Sequence, residues 1–96
     1  MSKAGFVYMM TNRNRSVLYT GVTSDLARRT AEHQQGLVEG FAKRYFLDRL
    51  VYYEAFEDVT EAMAKLERLK AGSRKKKESL IESMNPGWLD LSEGLG

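Results

Sequence analysis

Basic side chains that could meet a phosphate backbone are concentrated in one part of the chain. Seven of the 15 Lys and Arg residues lie between Lys65 and Lys77, and four of them form the run from Arg74 to Lys77. Such a cluster can neutralise nucleic-acid phosphates, although most basic runs taken alone are only the solvated face of a helix. The stretch therefore indicates phosphate chemistry only if other residues bring a phosphodiester close to it.

Three polar residues at the borders of predicted apolar helix stripes are further candidates for chemistry. Arg29 and His33 lie one turn apart at the edge of one stripe, and Glu67 lies just beyond the edge of another. A border Arg usually packs its stem on the core, and a lone His is usually structural. Glu67 could pair with Arg68 or Lys70 on the surface, for under ~1 kcal/mol. Tyrosines are also typical of strands, where this chain has Tyr8, Tyr19, Tyr52 and Tyr53.

The composition of the chain restricts the class of protein. Its 96 residues include no Cys, one Pro and 43% hydrophobic residues, which predicts a single domain over residues 1–96 with one modest core. Without Cys, a disulfide framework, a thiolate zinc site and a Cys nucleophile are excluded. No apolar run approaches the ~20 residues of a membrane helix, and the amino end lacks a signal peptide. We therefore expect a cytoplasmic protein with no membrane partner.

The net charge of +2 averages two unlike parts of the chain. Residues 1–77 carry all 15 basic residues against nine acidic ones, which gives +6. The acidic C-terminal segment, residues 78–96, carries four acidic residues and no basic one, which gives −4. The body of the chain is therefore the part suited to an anionic partner.

Apolar patterns and capping residues predict the order of the secondary structure. Two short apolar runs, residues 5–11 and 17–21, indicate a β-hairpin around a polar five-residue turn. The other predicted elements are a helix over residues 25–35 between Ser24 as N-cap and Gly36, an optional short helix within residues 37–49, a strand over residues 50–56, a helix from Asp58 to about Lys70, and a helix from Ser73 to about Met84. The order β-β-α-(α)-β-α-α predicts an α+β fold, a small three-stranded antiparallel sheet flanked by helices.

The helical periodicity also predicts which side chains reach the core. In the first helix, Leu26, Thr30 and Leu37 share the buried side, and Arg28 points to solvent. In the helix after Asp58, the apolar stripe consists of Val59, Ala62, Met63, Leu66 and Leu69. These stripes place the border residues beside the core.

Five elements in order resemble one known family. They are Phe6-Val7-Tyr8, Tyr19-Thr20-Gly21, Arg29, His33 one turn later, and Glu67 in the helix after the third strand. In these residues and their spacing the chain resembles the GIY-YIG nucleases. The small stand-alone branch, related to the amino-terminal nuclease domain of bacterial excision-repair endonuclease, also has relatives of the stretches Leu50–Glu54, Ser73–Lys77 and Asn85–Leu91. The resemblance thus spans nearly the whole chain.

The chain departs from the family pattern at three motif positions. Phe6 stands where the family name has Gly, and Thr20 stands where it has Ile. Val22 follows the second motif, where some relatives carry a Lys. Both tyrosines, which carry the chemistry in the family, are present.

The resemblance implies a metal-dependent endonuclease that hydrolyses phosphodiester bonds and nicks one DNA strand, in DNA repair or recombination, with RNA left open as a substrate. It implies one Mg²⁺ or Mn²⁺ ion per site, with Glu67 as its ligand. Arg29 would bind the phosphate, Tyr8 and Tyr19 would orient the water and take its proton, and His33 would relay a proton. The residues expected to bind nucleic acid are Lys70, Arg74, Lys75, Lys76, Lys77 and Asn85.

Two other functions stay open at this point. One is a nucleic-acid-binding module that no longer cuts, and the other is a protein-interaction module that uses the acidic C-terminal segment. Since 96 residues leave no room for a separate DNA-targeting domain, a targeting protein is a further expected partner.

Overall fold

Three strands and three α-helices form the part of the chain that the computed structural model describes, residues 3–38, 40 and 44–95. The elements are β1 (Gly5–Thr11), β2 (Leu18–Thr23), α1 (Leu26–Gln34), β3 (Arg49–Phe56), α2 (Val59–Ala71), α3 (Arg74–Met84) and a 3₁₀ helix at Leu91–Leu95. The predicted α+β class and element order are confirmed. The range of the optional helix, residues 37–49, includes residues 39 and 41–43, which lie outside the described residues.

The sheet is antiparallel with the order β2-β1-β3. Side chains alternate between its two faces along β1. Val7 and Met9 pack on the face covered by α2 and α3, together with Ala62, Ile81 and Trp88. Tyr8 and Met10 pack on the other face, together with Leu26, Leu47 and Leu50. We call these the core face and the tyrosine face.

Capping side chains determine where the helices begin. Asp25, in an extended conformation, accepts a hydrogen bond from the Arg28 amide at 3.2 Å and is the N-cap of α1. The prediction of Ser24 as N-cap was therefore wrong by one residue. Asp58 caps α2 and Ser73 caps α3, as predicted. The Thr60 amide and hydroxyl donate to Asp58 and lower the pKa of its carboxyl.

Two residues predicted in the apolar stripes are exposed. Leu37 is 63% exposed, because the chain leaves α1 at Gly36 with a φ of +72° and the helical periodicity ends there. Met63 is 54% exposed. The flank of α2 on the other side of the apolar stripe lies nearer to the sheet. There Lys65 Nζ is 3.8 Å from a carboxylate oxygen of Glu54 in β3.

The C-terminal segment is attached to the sheet by buried polar contacts. The Asn85 amide donates to the carbonyls of Val51 and Leu89, at 3.1 and 2.8 Å, and its oxygen accepts from the Leu89 amide. A carboxylate oxygen of Asp90 accepts from the Leu50 amide of β3 at 3.2 Å. Asn85 is thus buried and hydrogen-bonded within the fold, and its role in nucleic-acid binding stays a prediction. Among the described residues, no helix is long and apolar enough to cross a membrane.

Candidate active site

The hydroxyl of Tyr8 lies between two polar side chains of α1. Arg29 Nε donates to it at 3.4 Å, and His33 Nε2 lies 3.1 Å away. Because a guanidinium offers only donors, the hydroxyl oxygen accepts from Arg29. A hydrogen bond also links Tyr8 to Tyr19, and the tautomer of the imidazole decides which group donates in the Tyr8–His33 contact. The three groups form a hydrogen-bonded chain from Arg29 through Tyr8 to His33.

Tyr19 completes the cluster with its ring. Its ring centroid lies 6.2 Å from that of Tyr8 and 5.4 Å from that of His33. The centroids of Tyr8 and His33 are 5.7 Å apart. These distances are those of interacting aromatic pairs. The structure thus brings together four of the residues predicted from sequence.

Gly21 provides the space for the Tyr8 hydroxyl. It lies directly opposite Tyr8 in the β1–β2 pairing, and a Cβ at this position would stand 2.7 Å from the Tyr8 oxygen. No real side chain tolerates that contact, so glycine is required while Tyr8 keeps its position. Sequence reasoning did not single out Gly21 as a site residue, although the hairpin register could have indicated it.

Burial sets the protonation states of the cluster. It raises the pKa of Tyr8 to about 12, although the hydrogen bond from Arg29 acts in the opposite direction. Burial also lowers the pKa of His33 to about 4, and the charge of Arg29 lowers it further. The hydrogen bond to Tyr8 raises the pKa of Arg29. At neutral pH the cluster therefore holds a protonated Tyr8, a neutral His33 and a charged Arg29.

Glu32 is a carboxylate in contact with this cluster that sequence reasoning missed. One of its oxygens lies 3.4 Å from Arg29 Nη1, and the other lies 3.4 Å from Arg28 Nε. A groove of about 330 Å³ opens here, lined by these three residues and by Val22, Thr23, Ser24 and Asp25. The signal was available, because residues three and four positions apart are neighbours on a helix.

Glu67 is exposed on α2, a helix that packs on the face opposite the cluster. Since α2 packs on the core face, the tyrosines project from the other side of the sheet. Glu67 lies nearly opposite Lys65 on the helix, at about 100° per residue. Because Lys65 pairs with β3, Glu67 is on the flank toward the β2 edge of the sheet. Among the described residues, no ion pair or hydrogen bond joins Glu67 to the four clustered residues.

The carboxylates of the described residues do not form a closed metal site. No group of three or more His, Asp or Glu side chains lies together in that part of the chain. A hard divalent ion here would have one protein carboxylate as ligand and take its other ligands from substrate oxygens and water. Mg²⁺ is commonly bound in this way, so the residues fit an ion held chiefly with the substrate.

The predicted nucleic-acid-binding lysines and Arg74 differ in their surroundings. Arg74 donates to the carbonyls of Ser16 and Arg15 and pairs with Glu78 at 2.9 Å. It therefore joins α3 to the β1–β2 turn instead of standing free for a phosphate. Of the predicted lysines, Lys70, Lys75 and Lys76 are exposed and Lys77 is half-buried.

Comparison with known proteins agrees with this fold. The family model of the GIY-YIG catalytic domain matches residues 4–79. A UPF0213 protein of Haloquadratum walsbyi is 32% identical over 82 residues, which cover 85% of this chain and 91% of the relative. A UPF0213 protein of Vibrio cholerae is 38% identical over 80 residues, which cover 82% of this chain and 78% of the relative.

A solved structure extends the similarity to three dimensions. The solution NMR structure of a UPF0213 protein from Bacillus halodurans is 30% identical in sequence and superimposes with a TM-score of 0.58. The alignment covers 94% of this chain and 95% of the other. With the family match over most of its length, the chain belongs to the GIY-YIG family of nucleases, proteins that act on nucleic acid and typically use divalent metal ions.

Proposed function

We propose that this protein is an endonuclease that hydrolyses phosphodiester bonds in DNA, nicks one strand at a time and depends on Mg²⁺ or Mn²⁺. The observation that carries the proposal is the Tyr8 hydroxyl held between Arg29 and His33. Buried polar chains of this kind are arranged where protons and charge move in a reaction. The assignment of DNA as substrate, and a place in repair or recombination, rest on the family.

Arg29 is the group that binds the phosphate. Its Nε is used by Tyr8 and its Nη1 by Glu32, so Nη2 remains for a phosphate oxygen. The forked guanidinium suits phosphate geometry and stabilises the negative charge that grows in the transition state. A phosphate that needs two donors must displace Glu32 from Nη1.

Tyr8 and Tyr19 orient the attacking water, and His33 receives a proton through Tyr8. Burial raises the pKa of Tyr8 to about 12 and lowers that of His33 to about 4, so this transfer is unfavourable in the free protein. A divalent ion, when bound, supplies positive charge that lowers the pKa of nearby water and hydroxyl groups. The neutral imidazole is already hydrogen-bonded to the hydroxyl that would release the proton.

Nicking of a supercoiled plasmid in Mg²⁺ or Mn²⁺ tests the proposal. Arg29→Ala should lower the nicking rate by about 10²–10³-fold, the usual loss for one donor to transition-state charge. Arg28→Ala is the matched control, because Arg28 is the neighbouring residue, also pairs with Glu32 and points to solvent. We expect the control to cut like the wild type. Equal cutting by Arg29→Ala and Arg28→Ala would show that the cluster is not the active site.

Glu67 is our proposed ligand for the metal ion. Its support is the family position and the location of its helix flank toward the β2 edge. Glu67→Gln should lose metal-dependent nicking and keep metal-free nucleic-acid binding. Glu61→Gln, an exposed position on the same helix, is its control. If both variants cut equally well, the ligand lies elsewhere, and Glu32→Gln becomes the next variant to assay.

A non-catalytic nucleic-acid-binding module is the second candidate. The observation that favours it is that, among the described residues, no hydrogen bond or ion pair joins Glu67 to the clustered tyrosines. This function predicts binding that weakens steeply with salt, by a slope of about −0.7 to −0.9 per neutralised phosphate. It also predicts no cutting with any divalent ion, so the same plasmid assay separates the two candidates.

A further inference from the structure

A cavity of about 450 Å³ adjoins the cluster on the side of His33. His33 is only 6% exposed, and its Nδ1 has no hydrogen-bond partner among the described residues. Since Nε2 contacts Tyr8, Nδ1 is the ring nitrogen that takes no part in the cluster. Buried polar atoms normally have a partner, so the enclosed Nδ1 is an unsatisfied atom of a residue that lines the cavity. The cavity is lined by His33, Gln34, Gln35, Gly36, Leu37, Phe46 and Asp48.

Phe46 presents its ring to solvent at the rim of this cavity. It is 79% exposed, and its φ of +54° is in the left-handed region, which is costly for a bulky residue. Phe46 also borders a second cavity of about 270 Å³, together with Tyr45 and the turn residues Asn12, Arg13 and Asn14. The ring therefore stands between the cavity beside His33 and the β1–β2 turn.

Cationic groups flank this exposed ring. Arg13 lines the second cavity, and the Arg44 guanidinium lies 5.7 Å from the centroid of the Tyr45 ring. These positive charges suit an anionic partner. Aromatic faces interleaved with Arg are how proteins bind unpaired nucleotides, with stacking on the ring and contacts to the phosphates.

We propose that Phe46 and the cavity beside His33 form a subsite that binds one unpaired nucleobase next to the bond to be cut. The base stacks on Phe46, and Arg13 and Arg44 contact the phosphates of the same strand. The assignment rests on the proposed function, because His33 belongs to both the cavity and the cluster. It deepens that function by requiring an unstacked nucleotide at the site.

Binding without metal tests the subsite independently of cutting. The wild-type chain in EDTA at low salt is titrated into a single strand carrying 2-aminopurine and into a duplex of the same sequence, with anisotropy and base fluorescence recorded. Phe46→Ala should weaken single-strand binding by about 10- to 100-fold, the usual loss of one stacked base, and should abolish the fluorescence quench. Duplex binding and Tm should stay unchanged, because the ring is exposed. Phe46→Trp should retain both signals.

Leu89→Ala is the matched control, an exposed apolar residue outside both cavities. The proposal is overturned if Phe46→Ala binds the single strand like the wild type, or if Leu89→Ala loses as much. It is also overturned if the wild-type chain binds no single strand, which would point to a protein partner for the patch. Failure of nicking with an intact Phe46 effect would contradict the proposed function and leave the subsite standing.

Discussion

The two faces of the sheet are built from the same three strands but bury different kinds of side chain. On the core face, Val7 and Met9 pack against apolar residues of α2 and α3. On the tyrosine face, alternate residues of the same strand meet Arg29 and His33 of α1. Among the described residues, the two buried side-chain atoms without a partner, Thr30 Oγ1 and His33 Nδ1, are both on α1. The incompletely satisfied polar groups are thus confined to the face that carries the candidate site.

The apolar packing of the core face is thus kept apart from the candidate site on the tyrosine face. The polar atoms of the largely apolar core face, the Tyr52 hydroxyl and the Trp88 ring nitrogen, donate to Glu54 and Glu82. The opposite face holds a protonated Tyr8 and a neutral His33, and burying such polar groups costs free energy unless they are hydrogen-bonded. Four comparisons, with five substitutions, probe this contrast between the two faces.

Met9→Ala and Met10→Ala compare the faces most directly. Both residues are fully buried neighbours on β1, so each truncation should lower the free energy of unfolding by about 2–5 kcal/mol. Only Met10 lies opposite Tyr19 and beside Tyr8. At a temperature where both variants are folded, nicking per folded molecule should therefore fall for Met10→Ala and not for Met9→Ala. Equal nicking by the two variants would mean that the cluster does not depend on the packing of the tyrosine face. Urea unfolding and the plasmid assay measure the two effects.

His33→Gln tests the electrostatics of the tyrosine face. The pKa of His33 is lowered from 6.5 to about 4, so between these pH values the unfolded chain binds a proton that the folded chain does not. Acidification from pH 6.5 to 4 should then lower the free energy of unfolding of the wild type by up to about 3 kcal/mol, a loss that the variant does not show. Urea unfolding of both chains at several pH values measures this difference. Parallel stability curves would contradict the buried, neutral imidazole.

Gly21→Ala should disturb the site through one methyl group. The added Cβ would meet the Tyr8 hydroxyl at 2.7 Å, so Tyr8 must move, at a cost of about 1–3 kcal/mol. Nicking should fall further than stability explains, because the bonds of Tyr8 to Arg29 and His33 are broken. Gly94→Ala, where a Cβ meets nothing within 4 Å, should change neither. A Gly21→Ala chain that cuts normally would show that the hydroxyl position is unimportant.

Glu32→Gln has the smallest expected effect and sharpens the role of Arg29. It removes the partly exposed pairs with Arg28 and Arg29, each worth under ~1 kcal/mol, and frees Nη1 for phosphate. Single-strand affinity in EDTA should therefore rise a few-fold by anisotropy, while Glu61→Gln should leave it unchanged. Weaker binding by Glu32→Gln would instead indicate that Glu32 holds Arg29 in its binding position.

Local contacts explain why most of the cluster could be predicted. Tyr8 and Tyr19 lie on adjacent strands of one hairpin, and Arg29 and His33 lie on the helix that follows at once. Their spacing therefore predicts their proximity. The surroundings of Arg74 and Asn85 could not be predicted in this way, because both are bound to strands or turns more than 30 residues away in sequence. A basic run and a polar Asn look the same in sequence whether they serve the fold or a ligand.

The sequence by itself determined the α+β class, the order of the elements and the family, because strand alternation, capping residues and short motifs are local signals. Only the tertiary structure decided which flank of α2 meets the sheet, and with it the positions of Met63, Lys65 and Glu67. It also decided the protonation of Tyr8 and His33, and the exposure of Phe46 beside them. Helix rotation, burial and cavity shape depend on contacts between distant segments, and helical periodicity does not contain that information.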